Sequence, residues 1–305
     1  MKIWGYLSAL TVAILFGVWF SLDKTLLGYL HPIVLASATY LIASCFLFII
    51  NFSPLKKKIL KIINSKSKVE DFITKKEYGI LFLTAIFGSV IAPAIYLNGL
   101  NRITAVNAAL LANVEILFII LIGVFFLKEH VKRKDIVGFV FLLIGAIFLS
   151  TNNLQNIHFD ASLFGSILVI VSCFFWSMDT SLSKFLSHKS NIIYITALKC
   201  AIGGLILLLI SISLGLSFSL PLDKLPLLLF IGLVCLSISL PLIYFAIRII
   251  GSTRTGSIFA LSSLFGAITA FLVLGEPLTV TQLSFGVLMI IGVYILYMGD
   301  NDQNV

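Results

Sequence analysis

Residues 104–127 read TAVNAALLANVEILFIILIGVFFL, a run of 24 residues in which Glu115 carries the one charge. A helix needs about 20 apolar residues to cross the hydrocarbon core of a bilayer. The run therefore predicts a membrane-spanning helix. Glu115 is its twelfth residue, so its carboxyl group would lie near the middle of the membrane. An ionised carboxylate is costly there unless another group compensates for it.

The whole chain has the same apolar character. Of its 305 residues, 60% are hydrophobic and 11% are charged, whereas soluble proteins have about 45–50% and about 25%. A β-barrel would show short alternating segments, but the apolar runs here are long and continuous. We therefore expect an all-α membrane protein with ten transmembrane helices. The ten runs cover roughly 3–22, 32–52, 78–99, 104–127, 136–151, 161–183, 191–213, 225–248, 253–274 and 279–298.

The distribution of lysine and arginine predicts an orientation. With the N-terminus inside, the inner segments hold 17 of the 21 basic residues, the outer loops hold three, and Lys199 lies within a span. Cytoplasmic segments carry such an excess, so both termini are expected in the cytoplasm of a multi-pass cell-membrane protein. The net charge of +8 lies mostly in the loop 53–77. A lysine-rich inner loop indicates contact with anionic lipid rather than with nucleic acid.

Similar stretches recur in the two halves of the chain. GYLSALTVAILFGVWFSLDKTLL begins at Gly5, and GSILVIVSCFFWSMDTSLSKFL begins at Gly165. An offset of 160 also pairs Lys24 with Lys184. IAPAIYLNGL resembles SLPLIYFAIR, and FFLKEHVKRKDIVGFVFLLIGAIFL resembles LVLGEPLTVTQLSFGVLMIIGVYIL. The chain thus divides into two five-helix units, 1–152 and 158–300. Because five is odd, the second unit starts on the opposite side, which makes an inverted repeat of the kind found in transporters.

This doubled order of motifs resembles the drug/metabolite transporter superfamily, EamA type. The motifs are FGVWFSLDK with FWSMDTSLSK, APAIYLNGL with LPLIYFAIR, and AVNAALLANVEILFIILIGVFFLKE with TGSIFALSSLFGAITAFLVLGEPLT. The resemblance implies two EamA-like repeats around a central cavity and the carriage or export of small metabolites such as amino acids. Family members often have proline just after the position of Glu115, where this chain has Ile116.

The expected function is secondary transport of a small organic metabolite, with export as the expected direction and alternating access as the mechanism. A multidrug or nucleotide-sugar carrier of the same fold is the alternative within transport. An intramembrane enzyme or a sensor is the alternative outside it. The chain has no G-x-x-x-x-G-K-[ST] motif for an ATP motor. We expect no enzymatic activity, cofactor or metal site. Protons and a second copy of the chain, forming a homodimer, are further candidate partners.

Glu115 is the first candidate site residue. Asn107 lies eight positions earlier, which places both on roughly one face of a continuous helix. The pair is expected to face a wet cavity, with a structural, protonated Glu115 as the alternative. The repeat partner of Glu115 is Ser262 or Ser263. Ser262 begins a stripe of small residues that fits close helix packing, or else a cavity wall.

A second set of candidates lies in other spans. Asp179 and Lys199 lie about 7–12 Å from the inner ends of consecutive helices, so they are expected to form an ion pair or an inner gate. Tyr96 and Tyr244 follow prolines at matching places, and a proline frees a carbonyl that a cavity or side chain must satisfy. Asn98 lies two residues beyond Tyr96. These three residues are candidates for substrate contact.

Overall fold

The computed structural model describes residues 2–64, 70, 72–127, 133–150 and 161–301. Within these ranges the chain is helical and forms no β-strand. The predicted boundaries of the two units, at residues 152 and 158, lie outside the described residues. The α-helices are α1 (Lys2–Leu26), α2 (Pro32–Phe52), α3 (Leu55–Asn64), α4 (Lys75–Ala85), α5 (Ala92–Leu100), α6 (Ala105–Leu111), α7 (Val114–Leu127), α8 (Arg133–Ser150), α9 (Ala161–Leu186), α10 (Ile192–Ser213), α11 (Leu225–Phe230), α12 (Ser237–Ile250), α13 (Ser252–Phe259), α14 (Ser262–Thr269) and α15 (Val280–Asn301).

Several predicted spans consist of two helices in series. A π-helical segment, Ile86–Ile91, joins α4 to α5, and another, Ile231–Leu236, joins α11 to α12. A third, Ala270–Leu274, follows α14. Seven described segments are long and apolar enough to cross a membrane, and three shorter apolar helices accompany them. The expectation of an all-α membrane protein is confirmed, whereas the number of ten spans stays a prediction.

The helix ends follow local sequence signals. His31 caps α2, whose first residue is Pro32, a residue that suits a first turn because its missing N–H has no partner there. Thr74 and Glu77 form a capping box at the start of α4. Thr104 accepts a hydrogen bond from the N–H of Asn107 and caps α6. These caps fix where the membrane segments begin.

The helices of the first half pack against those of the second half in matched ways. α2 packs on α10, and α8 packs on α15. α1 packs on α12 and α14, while α9 packs on α5 and α7. Two serines of α2 donate hydrogen bonds to α10. Ser37 Oγ donates to the carbonyl of Gly204 at 3.1 Å, and Ser44 Oγ donates to the carbonyl of Ala197 at 3.1 Å. With the offset of 160, the pair 37/204 matches the pair 197/44, although both donors lie on α2.

Small residues allow the closest of these contacts. A side chain at Gly17 on α1 would lie 2.7 Å from the backbone N of Gly266 on α14, and Ser21 Oγ donates to the carbonyl of Gly266 at 2.9 Å. The stripe that begins at Ser262 therefore packs backbone against backbone, as small residues do between membrane helices. Ser262 itself is buried beside this contact, since its carbonyl lies 2.7 Å from the Cβ position of Gly17.

Gly88 and Pro93 explain the π-helical segment before α5. The N–H of Ala92 bonds to the carbonyl of Phe87, five residues earlier. The next bond in that register would join Pro93 to Gly88, but proline has no N–H. The carbonyl of Gly88 instead accepts hydrogen bonds from Tyr40 Oη at 3.0 Å and Trp176 Nε1 at 3.3 Å. Side chains from α2 and α9 thus satisfy the carbonyl that proline leaves free, as the apolar surroundings require.

We predict that Gly88→Ala destabilises the protein. The added methyl group would lie 2.0 Å from Asp179 Oδ2, so the buried acid must move, at a cost of roughly 1–3 kcal/mol. Gly79→Ala is the matched control, because nothing lies within 4 Å of its Cβ position and alanine favours a helix by roughly 0.5–1 kcal/mol. Thermal unfolding in detergent measures both variants. An unfolding temperature of Gly88→Ala equal to that of the wild type would contradict the close approach.

Candidate functional site

A small polar cavity lies between the two halves of the bundle. Its volume is about 50 Å³, which is room for a few water molecules but not for a metabolite. Aromatic side chains of α1 and α13, Phe16, Phe20 and Phe259, form one wall. The side chains with polar groups that line it are Tyr40, Glu115, Trp176, Asp179, Thr180, Ser183, Lys199 and Tyr244.

Asp179 and Lys199 meet at the centre of this cavity. Lys199 Nζ on α10 lies 2.7 Å from Oδ1 and 2.6 Å from Oδ2 of Asp179 on α9. Ser183, one turn along α9, donates to Oδ1 at 3.2 Å, and its Oγ lies 2.9 Å from the hydroxyl of Tyr244, from which it can accept. Lys199 Nζ also lies 5.8 Å from the centre of the Tyr244 ring. The predicted neighbours are thus in direct contact, and Tyr244 belongs to the same cluster.

Glu115 lies at the start of a helix rather than in the middle of one. The expectation of a continuous helix over 104–127 is wrong, because Ala112 and Asn113 form a turn between α6 and α7. The N–H groups of Asn113 and Glu115 bond three residues back, to Leu110 and Ala112. No proline causes this break. The side-chain amide of Asn113 donates instead to Ser263 Oγ at 2.9 Å.

The break gives Glu115 a distinct electrostatic setting. It is the second residue of α7, so its carboxyl group lies at the N-terminal end of a helix, which carries a partial positive charge. Thr180 Oγ1 on α9 donates to Glu115 Oε1 at 3.2 Å. The matching turn in the second half, at Ala260 and Leu261, lies between α13 and α14. It places no acid at the equivalent position, Ser263.

The turn also separates Asn107 from Glu115. Asn107 Oδ1 accepts a hydrogen bond from Gln282 Nε2 on α15 at 2.8 Å, and Asn107 does not line the cavity. Asn107 and Glu115 therefore have different surroundings, since Asn107 bonds to α15 and Glu115 lines the cavity.

The remaining predicted residues also lie outside the cavity lining. Asn98 Nδ2 donates to the carbonyl of Ala94 on its own helix at 2.8 Å. Tyr96 is buried among aromatic rings, 4.9 Å from the ring of Phe20 and 5.1 Å from that of Trp176. Ser262 lies at the contact of α1 with α14. Of the candidates, the structure brings together Glu115, Asp179, Lys199 and Tyr244.

Sequence reasoning missed two cavity residues on α9. Thr180 and Ser183 share one face of this helix with Trp176 and Asp179, at spacings of three and four residues. This spacing is a signal that a helical projection around Asp179 would have found.

A network of polar contacts closes the end of the bundle that holds the loop 53–77. Lys189 Nζ, between α9 and α10, lies 2.6 Å from Glu70 Oε2 and 2.7 Å from Glu77 Oε1. Burial alone would lower the pKa of Lys189, but its bonds to the two carboxylates outweigh burial and raise the pKa. The stability from a raised lysine pKa is present below the ordinary value of 10.5 and is lost as the pH rises through the raised value. These contacts therefore persist at neutral pH.

Arg248, at the end of α12, joins the same network. Its Nη2 donates to the carbonyl of Lys189 at 2.6 Å, and its Nη1 donates to Asn64 Oδ1 at 3.0 Å. Asn64 Nδ2 in turn donates to the carbonyl of Ser190 at 2.9 Å. We call Asn64, Glu70, Glu77, Lys189 and Arg248 the latch. It ties the lysine-rich loop of the first half to the second half.

Other contacts hold the opposite end of the bundle. The carboxylate of Glu276 accepts the N–H groups of Ala105 at 2.9 Å and Val106 at 3.0 Å, so it caps α6 from the other half of the chain. Lys24 Nζ donates to the carbonyls of Leu100 and Ile103, each at 2.7 Å. The two halves are therefore joined by polar contacts at both ends of the cavity.

We predict that Asp179→Asn and Lys199→Met each destabilise the protein, because each leaves a buried charge without its partner, at a cost of roughly 3–5 kcal/mol. The double variant should recover much of this loss. Thermal unfolding of the wild type, both single variants and the double variant closes the cycle. Simple additivity of the two losses would show that the ion pair contributes no coupling energy.

Comparison with known proteins gives a consistent picture. The model of the EamA-like transporter family matches residues 3–151 and 163–298. A protein of Methanothermobacter thermautotrophicus described as an uncharacterized transporter is 44% identical over 297 residues, which cover 97% of this chain and 87% of that protein. The uncharacterized transporter YyaM of Bacillus subtilis is 25% identical over 94% of this chain and 92% of its own length. A protein of known crystal structure shares the fold, with a TM-score of 0.69 and 15% identity over 97% of this chain and 98% of its own. The chain belongs to the EamA-like transporter family and is a multi-pass membrane transporter.

Proposed function

We propose that this protein is a secondary transporter that carries small organic metabolites such as amino acids by alternating access, with export as its direction. The observation that carries the proposal is the cavity between the halves, in which Glu115, Asp179 and Lys199 bring two acids and a base together. Such groups are rare at membrane depth and are usually functional there.

The charges of the cavity suit a molecule that bears both an ammonium and a carboxylate group. Lys199 would take the carboxylate, and Asp179 and Glu115 would take the ammonium. Asp179 and Lys199 already satisfy each other at 2.6 Å. A zwitterion can replace that ion pair without leaving either charge alone, whereas a ligand of one sign would leave a buried charge unpaired.

The surrounding groups add selectivity for an organic substrate. The rings of Phe16 and Phe259 lie 5.0 Å apart at the cavity wall and offer an apolar surface to a side chain, as well as π-faces to an ammonium group. The cavity volume of about 50 Å³ is too small for a metabolite. The substrate would therefore bind to a conformation in which the cavity is wider. A substrate shifts a conformational equilibrium only by binding one state more tightly. Replacement of the Asp179–Lys199 contact by contacts to the substrate would supply this difference in affinity.

Alternating access needs contacts that can close either end. We propose that the latch is the gate on the side of the lysine-rich loop, and that the cap of Glu276 on α6 with the contacts of Lys24 is the gate on the other side. Opening one set while the other holds would expose the cavity to one side at a time. The positive-inside distribution of lysines would put the latch on the cytoplasmic side.

We expect Glu115→Gln to lose transport while keeping its fold. Glutamine preserves size and can still accept from Thr180 Oγ1, now 3.2 Å from Glu115 Oε1, but it cannot neutralise an ammonium group. In proteoliposomes loaded with radiolabelled amino acids, the rate should fall at least about tenfold, which is the loss of about 1.4 kcal/mol of binding. Asp223→Asn is the control, since Asp223 pairs with Lys224 in an exposed loop.

A Glu115→Gln protein with the rate, affinity and pH profile of the wild type would leave Glu115 as a structural acid and remove it from the site. The same assay should include drugs and nucleotide sugars. Transport of either class, with no movement of amino acids, would replace the substrate class proposed here.

A further inference from the structure

Asp23, near the end of α1, is a buried acid that the proposed substrate site does not use. Its side chain is 1% exposed, and its Oδ1 atom has no hydrogen-bond partner. Among the described residues, no lysine or arginine lies within 4.0 Å of its carboxyl oxygens. The other described acids at depth are satisfied: Asp179 by Lys199, and Glu115 by Thr180. A buried polar atom without a partner calls for an explanation.

Two hydrogen-bond donors without partners accompany this acid. Trp19 lies one turn before Asp23 on α1, and its indole N–H is directed at the Asp23 carboxyl group without reaching full hydrogen-bond geometry. The hydroxyl group of Tyr96 on α5 makes no hydrogen bond, and it interacts electrostatically with Asp23. Two donors are thus buried beside the carboxyl group, and neither completes a hydrogen bond in this state. We define Trp19, Asp23 and Tyr96 as the outer cluster.

The repeat shows what the outer cluster lacks. With the offset of 160, Trp19 and Asp23 match Asp179 and Ser183, so each half has one acid on this face of its first helix. The counterpart of Lys199 is Thr39 on α2. The hydroxyl group of Thr39 donates to carbonyls of its own helix, those of Leu35 and Ala36. The first half therefore has the acid but not the resident cation of the second half.

The other titratable groups that face Asp23 are also not bases. Tyr40 on α2 and Cys235 in the segment Ile231–Leu236 both interact electrostatically with it. Lys24, the next residue, directs its Nζ to the carbonyls of Leu100 and Ile103 instead. Tyr40 interacts with Asp179 as well as with Asp23, so its hydroxyl group lies between the outer cluster and the substrate site.

The chemistry of the neighbours selects the cation that Asp23 can take. Sodium needs several oxygen ligands, but Trp19 offers only an N–H, which donates and cannot accept. A proton needs one carboxyl oxygen. Trp19 and Tyr96 can then donate to the carboxylate once the proton has left. The two unused donors are therefore explained if Asp23 alternates between its neutral and ionised forms.

We propose that Asp23 is the proton-carrying group that couples this transporter to the proton gradient. This inference rests on the proposed function of transport and adds its energy source. In the closed state described here the carboxyl group holds a proton. The carboxyl group gains a proton from the water on one side while that end is open and loses it to the water on the other side while the opposite end is open, and Trp19 and Tyr96 stabilise the carboxylate that remains. The step is the gain or loss of one proton at one carboxyl oxygen, so charge and atoms balance.

The first test uses Asp23→Asn in proteoliposomes, with a radiolabelled amino-acid mixture as the probe. Exchange at equal pH on both sides needs no net proton movement, so the variant should exchange at a rate within about twofold of the wild type. A pH gradient of one unit supplies about 1.4 kcal/mol per proton, which drives up to about tenfold accumulation in the wild type. The variant should show no accumulation driven by this gradient.

Asp223→Asn is again the control. Accumulation by Asp23→Asn equal to that of the wild type would overturn the proposal.

Infrared spectroscopy gives a second readout that needs no substrate. The difference between wild type and Asp23→Asn should contain the C=O stretching band of a protonated carboxyl group, and its absence at neutral and acid pH would also overturn the proposal. Asp23→Ser, which installs the residue of the matched position 183, serves if Asp23→Asn does not fold. A wild-type protein that moves no amino acid contradicts the proposed function, while the infrared band still decides whether Asp23 holds a proton.

Discussion

The ion pair between Asp179 and Lys199 is the interaction around which the centre of the molecule is organised. Two opposite charges at membrane depth are tolerated only when each neutralises the other, and their separation of 2.6 Å requires α9 and α10 to approach closely. Gly88 makes room for the acid, since any side chain there would overlap Asp179. The π-helical segment that contains Gly88 places the backbone of this span against the ion pair. Tyr40 and Trp176 then bond to the carbonyl left free.

The two halves share a framework but differ in charge. The positions that Ser37 and Ser44 bond on α10 form equivalent pairs under the repeat. Each half also contains a span broken at a turn, between α6 and α7 and between α13 and α14. The acids and the lysine do not follow the repeat. A lysine stands at position 199 where the first half has Thr39, and an acid stands at position 115 where the second half has Ser263. In the proposed transport cycle, symmetry of the framework would give two access states of similar energy, and the unequal charges would give the substrate a defined place to bind.

Much of this framework could be predicted from the sequence. The apolar runs predicted the helices to within a few residues, because each must be about as long as the membrane is thick. The contact of Asp179 with Lys199 was expected from short-range topology, since consecutive helices joined by a short turn are usually neighbours. The break at Ala112 and Asn113 was not predictable from propensity. It lacks proline, and it coincides with a side-chain bond to Ser263 on a distant helix.

Other features could not be predicted from the sequence, because they depend on how several helices pack together. Asp23 and Lys24 are consecutive residues near the end of a span, where charged side chains normally reach water. Only the packing of α1 shows that its carboxyl group is buried while the lysine turns away to two carbonyls. Similarly, the prediction that Asn107 and Glu115 share one face assumed a continuous helix. In both cases a rule about single helices was overridden by how several helices meet.

In the proposed transport cycle, the cavity around Asp179 and Lys199 is reached from each side of the membrane in turn. The most direct measurement is the labelling of a single cysteine at Thr180, which lines the cavity, in a variant that lacks the four native cysteines. Membrane-impermeant thiol reagents would be applied to oriented vesicles from one side and then from the other. Alternating access should give slow labelling from both sides, with protection by a transported amino acid. Labelling from neither side, or from one side only and without protection, would contradict it.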